Sequence, residues 1–254
     1  MHKPSAQYFA LKMLSKEVAR AKEMEHVKCE MEILQVMKQR EIFSIIFQFQ
    51  DTQHPFLLAL LQTSHDNNSP LLLFPYISGG KFYNYLRKAK KFSPSTTLFF
   101  SSEIVSALSY LHSVGITHRD IKPKNILLDT EGHVVIIDFG FSKRIQERTF
   151  TMCGTQKYMA PEMIACTGHD KAVDWWALGI LVYEMLVGYA PFFDDNPFLI
   201  SQKILTEPIK WPRNMNAGAK DLIQNFLERD KTNRLGSRLG GEEDVNKSQV
   251  SGFE

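Results

Sequence analysis

Residues 118–125 have the sequence His118-Arg-Asp-Ile-Lys-Pro-Lys-Asn125, and two short motifs follow: Asp138-Phe-Gly140 and Ala160-Pro-Glu162. Each tripeptide alone is a weak signal, because an isolated Asp-Phe-Gly is usually a turn after a strand. Three motifs in this order and at these separations are hard to produce by chance. Together they predict one site assembled from three loops, and they decide the fold prediction.

The side chains of these motifs suit phosphoryl transfer to a hydroxyl group. That reaction needs a carboxylate beside the nucleophile, oxygen ligands for Mg²⁺ and positive charge over the moving phosphoryl group. Asp120 can orient the hydroxyl and accept its proton, and Lys122 can neutralise charge on the γ-phosphate. Asn125 and Asp138 offer the hard oxygen ligands that Mg²⁺ prefers.

Composition places the chain among ordinary globular domains. It has 254 residues, of which 44% are hydrophobic, and a formal charge of +2, so no strong field favours nucleic acid or anionic membrane. The widely spaced Cys29, Cys153 and Cys166 have no metal-ligand spacing and suit a cytosolic or nuclear chain with free thiols. No signal-peptide pattern and no membrane span are expected.

The first part of the chain predicts a small strand-rich region. Apolar runs predict strands at Tyr8–Leu14, Leu57–Leu61 and Leu71–Phe74, and the helix-favouring composition of residues 17–38 predicts a helix. Ser78-Gly-Gly80 predicts a hinge to a larger helical region.

The second part predicts short strands and buried helices. Residues Ile126–Leu128 and Val134–Ile137 suggest strands, and residues 222–227 suggest an amphipathic helix. Residues Val173–Val187 are apolar almost all round, which predicts a helix buried within a domain. The polar residues Gly240–Glu254 predict a fraying end.

These motifs make the sequence resemble the protein kinase family, and within it the AGC group, most closely the cyclic-AMP-dependent protein kinases. The similarity covers nearly all of residues 2–35 and 54–247. Further matching segments are Phe139–Arg144, Thr149–Thr155, Lys171–Gly179 and Gly188–Phe193.

The resemblance implies an α+β, two-lobed kinase fold. It consists of an incomplete strand-rich N-lobe at residues 1–77 and a large helical C-lobe at residues 78–254. It further implies ATP with Mg²⁺, Ser or Thr acceptors in protein substrates, and a cyclic-nucleotide-binding regulatory subunit as a partner.

The resemblance also implies the nucleotide-binding residues. Lys12 would hold the α- and β-phosphates and would itself be held by Glu30. The alternative for Lys12 is a solvated surface lysine, but its place in a strand-like run favours the functional interpretation. The other nucleotide-binding positions implied are Ala10, Pro75, Ile77 and Leu127, with the backbone of Pro75 and Ile77 at the adenine.

A loop threonine matches the family's activation-loop phosphosite. A phosphate on Thr151 would carry about −1.5 to −2 charge and could bind Arg119, Lys143 and His26. The alternative is an unmodified loop threonine.

Other residues are implied in substrate contact or in architecture. Thr155 would line the acceptor site, and Glu184 would contact the substrate. Glu162 would pair with Arg234, and Asp174 would hold the backbone of the catalytic loop.

Three lysines depart from the family pattern. Close relatives have glutamates that bind substrate arginines, whereas this chain has Lys81, Lys124 and Lys157 at three of those positions and keeps Glu184 at the fourth. Lysines repel arginines, so we predict a weakened preference for basic substrates. The alternative is that they are ordinary surface lysines.

Two further departures concern the N-terminal part. Eleven residues precede Lys12, and none forms the glycine-rich loop that covers ATP phosphates; a gene model that starts too late is favoured over a real loss of the loop. Residues 36–53 form an apolar insert, either an unspliced intron or a real insert covering a sheet edge. The missing loop keeps a second hypothesis open, a pseudokinase or scaffold that transfers little or no phosphate.

Overall fold

A three-stranded antiparallel sheet forms the N-terminal part of the described structure. The structure is a computed structural model that describes residues 8–13, 33, 54–65, 70–145 and 148–253. The strands are β1 Phe9–Met13, β2 Gln62–His65 and β3 Pro70–Pro75, in the order β1-β3-β2. Apolar residues of the central strand β3 bury one side of this sheet, since Leu72 and Phe74 are at most 5% exposed.

Helices dominate the chain after the sheet. They are α1 Phe82–Ala89, α2 Pro94–Ser113, α3 Pro161–Ile164, α4 Ala172–Val187, α5 Pro197–Thr206, α6 Ala217–Phe226 and α7 Gly241–Phe253. The short strands β4 Ile116–Thr117 and β7 Lys143–Arg144 pair with each other, as do β5 Ile126–Leu128 and β6 Val134–Ile136. No helix in the described ranges is both long enough and apolar enough to cross a bilayer.

Helix α4 is the centre of the helical core. Its two tryptophans are fully buried, Trp175 stacking on Phe226 with ring centroids 6.4 Å apart and Trp176 on Phe192 at 6.1 Å. The predicted buried helix is therefore confirmed. Large buried aromatic rings contribute much of a core's stability, so we expect α4 to hold the loops packed around it in fixed positions.

Several of the predicted strands are confirmed, and one is wrong. The strands β1, β3, β5 and β6 agree with the predictions, but residues 57–61 form no strand, and β2 follows them. The backbone of Leu58 donates to the carbonyl of Ile136 at 3.0 Å, and Leu57 and Leu60 are buried in the core. This apolar run is thus buried against β6 of the helical part, and the more polar residues after it pair with β3.

The prediction of a fraying end is wrong for residues 241–253. They form α7, in which Val245 is fully buried and Gly252 approaches Leu222 of α6 so closely that a Cβ would lie 3.1 Å from its side chain. Local polarity favours exposure, but packing of a few apolar contacts against a neighbouring helix stabilises the helix.

Some predictions lie outside the described residues. These are Glu30, the insert at residues 36–53 and the helix over residues 17–38, apart from Ile33, which is helical and buried. The lobe boundary after residue 77 stays a prediction.

Candidate active site

A buried carboxylate holds the catalytic loop in place. Asp174 on α4 accepts hydrogen bonds from the backbone N–H of His118 at 2.9 Å and of Arg119 at 2.8 Å. His112 at the end of α2 contacts the same carboxylate through Nε2 at 2.9 Å. Burial alone would raise the pKa of Asp174, but the hydrogen bond from His112 and the nearby charges hold that pKa below its usual value. The predicted anchoring of the loop by Asp174 is confirmed.

Asp120 lies at the centre of a set of hydrogen-bond donors. Lys122 Nζ donates to its Oδ2 at 2.6 Å, and Asn125 Nδ2 donates to the same oxygen at 2.8 Å. The hydroxyl of Thr155 donates to Oδ1 at 2.9 Å. The Asp120 side chain is 1% exposed, so its orientation is fixed before any substrate arrives.

Asn125 and Asp138 fit a magnesium site. Because the amide nitrogen of Asn125 donates to the side chain and backbone carbonyl of Asp120, its amide oxygen is left for another ligand. Asp138 has a positive φ of 64° and a side chain 46% exposed, so its carboxylate reaches open space. The described residues contain no group of three His, Cys, Asp or Glu that could hold a metal by themselves. Two protein oxygens suit Mg²⁺, which keeps water and phosphate oxygens as its other ligands.

Lys12 extends from the sheet toward this site. Its Nζ lies 3.8 Å from Oδ1 of Asp138, and the two side chains are 39% and 46% exposed. Alternation along β1 places Lys12 on the half-buried face, while Phe9, Leu11 and Met13 are exposed on the other. The structure therefore brings together Lys12 and Asp138, and the predicted partner Glu30 lies outside the described residues.

The four other predicted nucleotide-binding positions lie on β1, β3 and β5 and on the linker that follows β3. Ala10 is opposite Phe74 in the sheet, and Pro75 ends β3. Leu127 is half-buried on β5. Ile77 follows β3, and its N–H takes part in no backbone hydrogen bond with the described residues, so it can serve as a donor.

The linker after Ile77 runs directly over β5. A Cβ on Gly79 would lie 2.4 Å from the carbonyl oxygen of Leu128, a distance that no side chain tolerates. The carbonyl of Gly80 accepts from the N–H of Leu128 at 2.9 Å. A glycine at residue 79 therefore lets the linker approach the end of β5 closely at the predicted hinge.

Thr155 reaches Asp120 because the segment before it crosses the catalytic loop. Gly154 has a φ of +95°, and a Cβ there would lie 2.7 Å from the carbonyl oxygen of Arg119. Lys122 Nζ also donates to the hydroxyl of Thr155 at 2.6 Å. The acceptor-site prediction for Thr155 thus has a direct hydrogen bond to the carboxylate that would accept the proton.

Glu184 is enclosed by protein groups. It is fully buried on α4, with one oxygen accepting from Arg87 and the other from the hydroxyl of Tyr158. Burial, followed by the charge of Glu184, holds the pKa of Tyr158 well above its usual value. A direct contact between Glu184 and a substrate would therefore require these partners to move.

Thr151 is exposed near a cluster of polar groups. Its hydroxyl is 3.5 Å from that of Thr149, to which Lys143 Nζ donates at 2.9 Å. Arg119 donates through Nε to the carbonyl of Phe141 at 2.6 Å, and its buried Nη1 has no partner in the described part of the chain. His26, the third predicted phosphate-binding residue, lies outside the described residues.

The predicted ion pair between Glu162 and Arg234 is confirmed. Two nitrogens of Arg234 donate to the two carboxylate oxygens at 2.7 and 2.9 Å, and Arg234 is fully buried. A bidentate pair of this kind fixes geometry, here between α3 and the loop after α6.

Sequence reasoning missed the residues that orient the predicted ones. His112 supports Asp174, and Arg87 and Tyr158 enclose Glu184. Nothing in the spacing of these residues indicates contact, because each partner is at least 26 positions away.

Comparisons with known proteins agree with this geometry. The family described as "Protein kinase domain" matches residues 1–244. The cAMP-dependent protein kinase catalytic subunit 3 of Drosophila melanogaster is 49% identical over 242 residues, which cover 95% of this chain and 39% of that protein. The catalytic subunit PRKX of Homo sapiens is 47% identical over 96% of this chain and 64% of that protein. The Dictyostelium discoideum cAMP-dependent protein kinase catalytic subunit is 47% identical over 94% of this chain and 35% of that protein. The chain thus spans less than two thirds of the length of these relatives.

Proposed function

The chain belongs to the protein kinase family, and on that premise we propose that it transfers the γ-phosphoryl group of ATP to Ser or Thr hydroxyls of proteins. The observation that carries the proposal is the Asp120 carboxylate, buried and hydrogen-bonded by Lys122, Asn125 and Thr155. These donors hold the carboxylate in one orientation. Pre-set positions of this kind supply much of the catalysis in phosphoryl transfer.

The residues divide the reaction between them. Asp120 accepts the proton of the acceptor hydroxyl while that oxygen bonds to phosphorus, and ADP leaves with the electrons of the broken P–O bond. Lys122 is placed to neutralise charge on the transferred group, since its Nζ lies 2.6 Å from both Asp120 and Thr155. Bound Mg²⁺ would stabilise phosphate charge, with Asn125 and Asp138 as its protein ligands.

The relatives also support proposals about partners. They are named as catalytic subunits of cAMP-dependent kinases, so we propose a cyclic-nucleotide-binding regulatory subunit for this protein too. Phosphorylation of Thr151 would place negative charge near Lys143. Cys153 and Cys166 are free thiols, which fits the proposed cytosolic or nuclear location.

The decisive experiment replaces Asp120 by asparagine, which keeps the shape of the side chain and removes its basicity. The full chain is incubated with γ-labelled ATP, Mg²⁺ and a neutral serine peptide, and incorporated label is counted. We expect Asp120→Asn to lower the rate by about 10²- to 10⁴-fold, the range of general base catalysis. Asp195→Asn, an exposed site with the same charge change, serves as the control and should keep the rate. Equal incorporation by Asp120→Asn and the unaltered chain would disprove the assignment.

A further inference from the structure

Three lysines lie on segments that adjoin the catalytic loop, and we call Lys81, Lys124 and Lys157 the lysine rim. Lys124 directly precedes Asn125 in a 3-10 turn, and Lys157 follows Thr155 by two residues in another. Lys81 lies at the start of α1, and its backbone pairs with that of Leu127 on β5. Because Asn125 and Thr155 both bond to Asp120, Lys124 and Lys157 lie on turns next to the residues that hold the catalytic carboxylate, whereas Lys81 precedes α1 beside β5.

The charges of the lysine rim are not neutralised by the described parts of the chain. None of the three lysines forms an ion pair with a residue that the structure describes. Two lie over aromatic rings instead, Lys124 Nζ at 5.4 Å from the ring centroid of Tyr83 and Lys157 Nζ at 5.7 Å from that of Tyr158. Such contacts orient an ammonium group and leave its N–H donors for another ligand.

A fourth cation, Arg87, lies beside the lysine rim but is paired with an acid. The guanidinium of Arg87 lies 5.0 Å from the centroid of the same Tyr83 ring, so Tyr83 contacts two cations. The acid that balances Arg87 is Glu184, which is fully buried and has both oxygens engaged. The unbalanced positive charge here therefore comes from the lysine rim and not from Arg87.

The lysine rim lies at a distance that a peptide substrate would span. Lys124 is one residue from Asn125 and Lys157 is two residues from Thr155, the two residues that bond to Asp120. Successive Cα atoms lie about 3.8 Å apart and an extended peptide rises by about 3.3 Å per residue, so both lysines lie within a few residues of the acceptor hydroxyl along a bound chain. We infer that the lysine rim selects substrates with acidic side chains within about two to four residues of the acceptor hydroxyl. This inference rests on the proposed function and specifies its substrate class.

The expected preference is moderate and depends on salt. Exposed ion pairs are weak, and each acidic residue is expected to raise kcat/KM by about two- to fivefold. Three such contacts would favour an acidic over a basic peptide by at least about tenfold. Because exposed charges are screened within about 3 Å at 1 M salt, the preference should shrink strongly there.

The test uses the full chain and four serine peptides of equal length. The first peptide is neutral. The near-Asp peptide has Asp, and the Arg peptide has Arg, at two to four residues on both sides of the serine. The remote-Asp peptide has the same Asp residues at least eight positions away from the serine. Both kcat/KM and the Kd from fluorescence anisotropy are measured. We expect the near-Asp peptide to be best, the Arg peptide worst, and the remote-Asp peptide close to the neutral one.

A charge reversal locates the effect. The variant Lys81→Glu/Lys124→Glu/Lys157→Glu should prefer the Arg peptide over the near-Asp peptide. The matched control, Lys171→Glu/Lys210→Glu/Lys220→Glu, makes the same change of net charge at exposed positions and should keep the original preference.

The outcomes separate this inference from the proposed function. Transfer to the neutral peptide tests the kinase activity by itself, and the Kd values test selection even if no transfer occurs. The inference is overturned if the Arg peptide equals or exceeds the near-Asp peptide, or if no peptide binds. It is also overturned if the remote-Asp peptide matches the near-Asp one, because that result indicates attraction of any polyanion.

Discussion

Asp174 in the helical part and Lys12 in the sheet are both charged and both lie near the reacting groups, yet their surroundings differ. Asp174 is fully buried and accepts hydrogen bonds from two backbone N–H groups and contacts His112. Lys12 is 39% exposed and lies 3.8 Å from Asp138, which is itself 46% exposed.

This difference indicates when each group acquires its position. Removing a buried carboxylate from its donors is costly, so the catalytic loop is set when the chain folds. The contact between Lys12 and Asp138 is exposed and long, and such pairs contribute little to stability. The side chain of Lys12 can therefore change partners, while the carboxylate of Asp120 stays in place.

The largest effect on the free energy of unfolding is expected for Asp174→Ala. This variant leaves two backbone N–H groups and His112 buried without their acceptor, which should lower the free energy of unfolding by about 3–5 kcal/mol. Urea denaturation followed by tryptophan fluorescence measures it. The exposed control Asp195→Ala should stay within about 0.5 kcal/mol. A loss of about 1 kcal/mol or less for Asp174→Ala would mean that the catalytic loop is held by other contacts.

A smaller, pH-dependent effect is expected at His169, whose backbone pairs with Thr149 beside the predicted phosphosite. Burial, together with the charge of Arg119, lowers the pKa of His169 from 6.5 to about 4. The unfolded chain therefore binds this proton more readily. The free energy of unfolding therefore has its full value above about pH 6.5, where His169 is neutral in both states, and it decreases as the pH falls toward about 4.

Replacing His169 by phenylalanine should remove this dependence. Between pH 7.5 and 5.0, the urea midpoint of the unaltered chain should fall more than that of His169→Phe. His133 supplies a control of opposite sign, because its hydrogen bond to Glu103 raises the pKa of His133. Stability from His133 is present at low pH and lost as pH rises, so the midpoint of His133→Asn should fall more steeply than that of the unaltered chain. Equal slopes for the unaltered chain and His169→Phe would contradict the assignment.

The sequence predicts those parts of the molecule whose chemistry is local. Asp120 and Asn125 are five residues apart on one loop, so the motif itself specifies their contact, and the apolar run of α4 could bury itself only inside a core. The anchoring by Asp174 and the pair Glu162–Arg234 followed from family resemblance, since no spacing rule connects residues so far apart.

The parts that the sequence did not predict depend on long-range packing. Residues 57–61 have strand-forming composition, but their apolar side chains are buried against β6. Helix α7 is polar overall, and Val245 buries itself against a surface that no local pattern shows. In both cases the neighbour that decides the structure lies far away in the sequence.

The smallest effect on stability is expected for Lys12→Met. This variant tests whether Lys12, unlike Asp174, contributes little to folding. An exposed ion pair at 3.8 Å should contribute at most about 1 kcal/mol, so the urea midpoint of the variant should stay close to that of the unaltered chain. If Lys12 holds phosphates as proposed, the same variant should bind Mg-ATP more weakly, measured as a smaller thermal shift on addition of the nucleotide. Lys12→Arg, which keeps the charge, should show a thermal shift between those of the unaltered chain and Lys12→Met. A loss of about 3 kcal/mol or more for Lys12→Met would place Lys12 in the same class as Asp174, because only a group fixed by folding has so large an effect on unfolding.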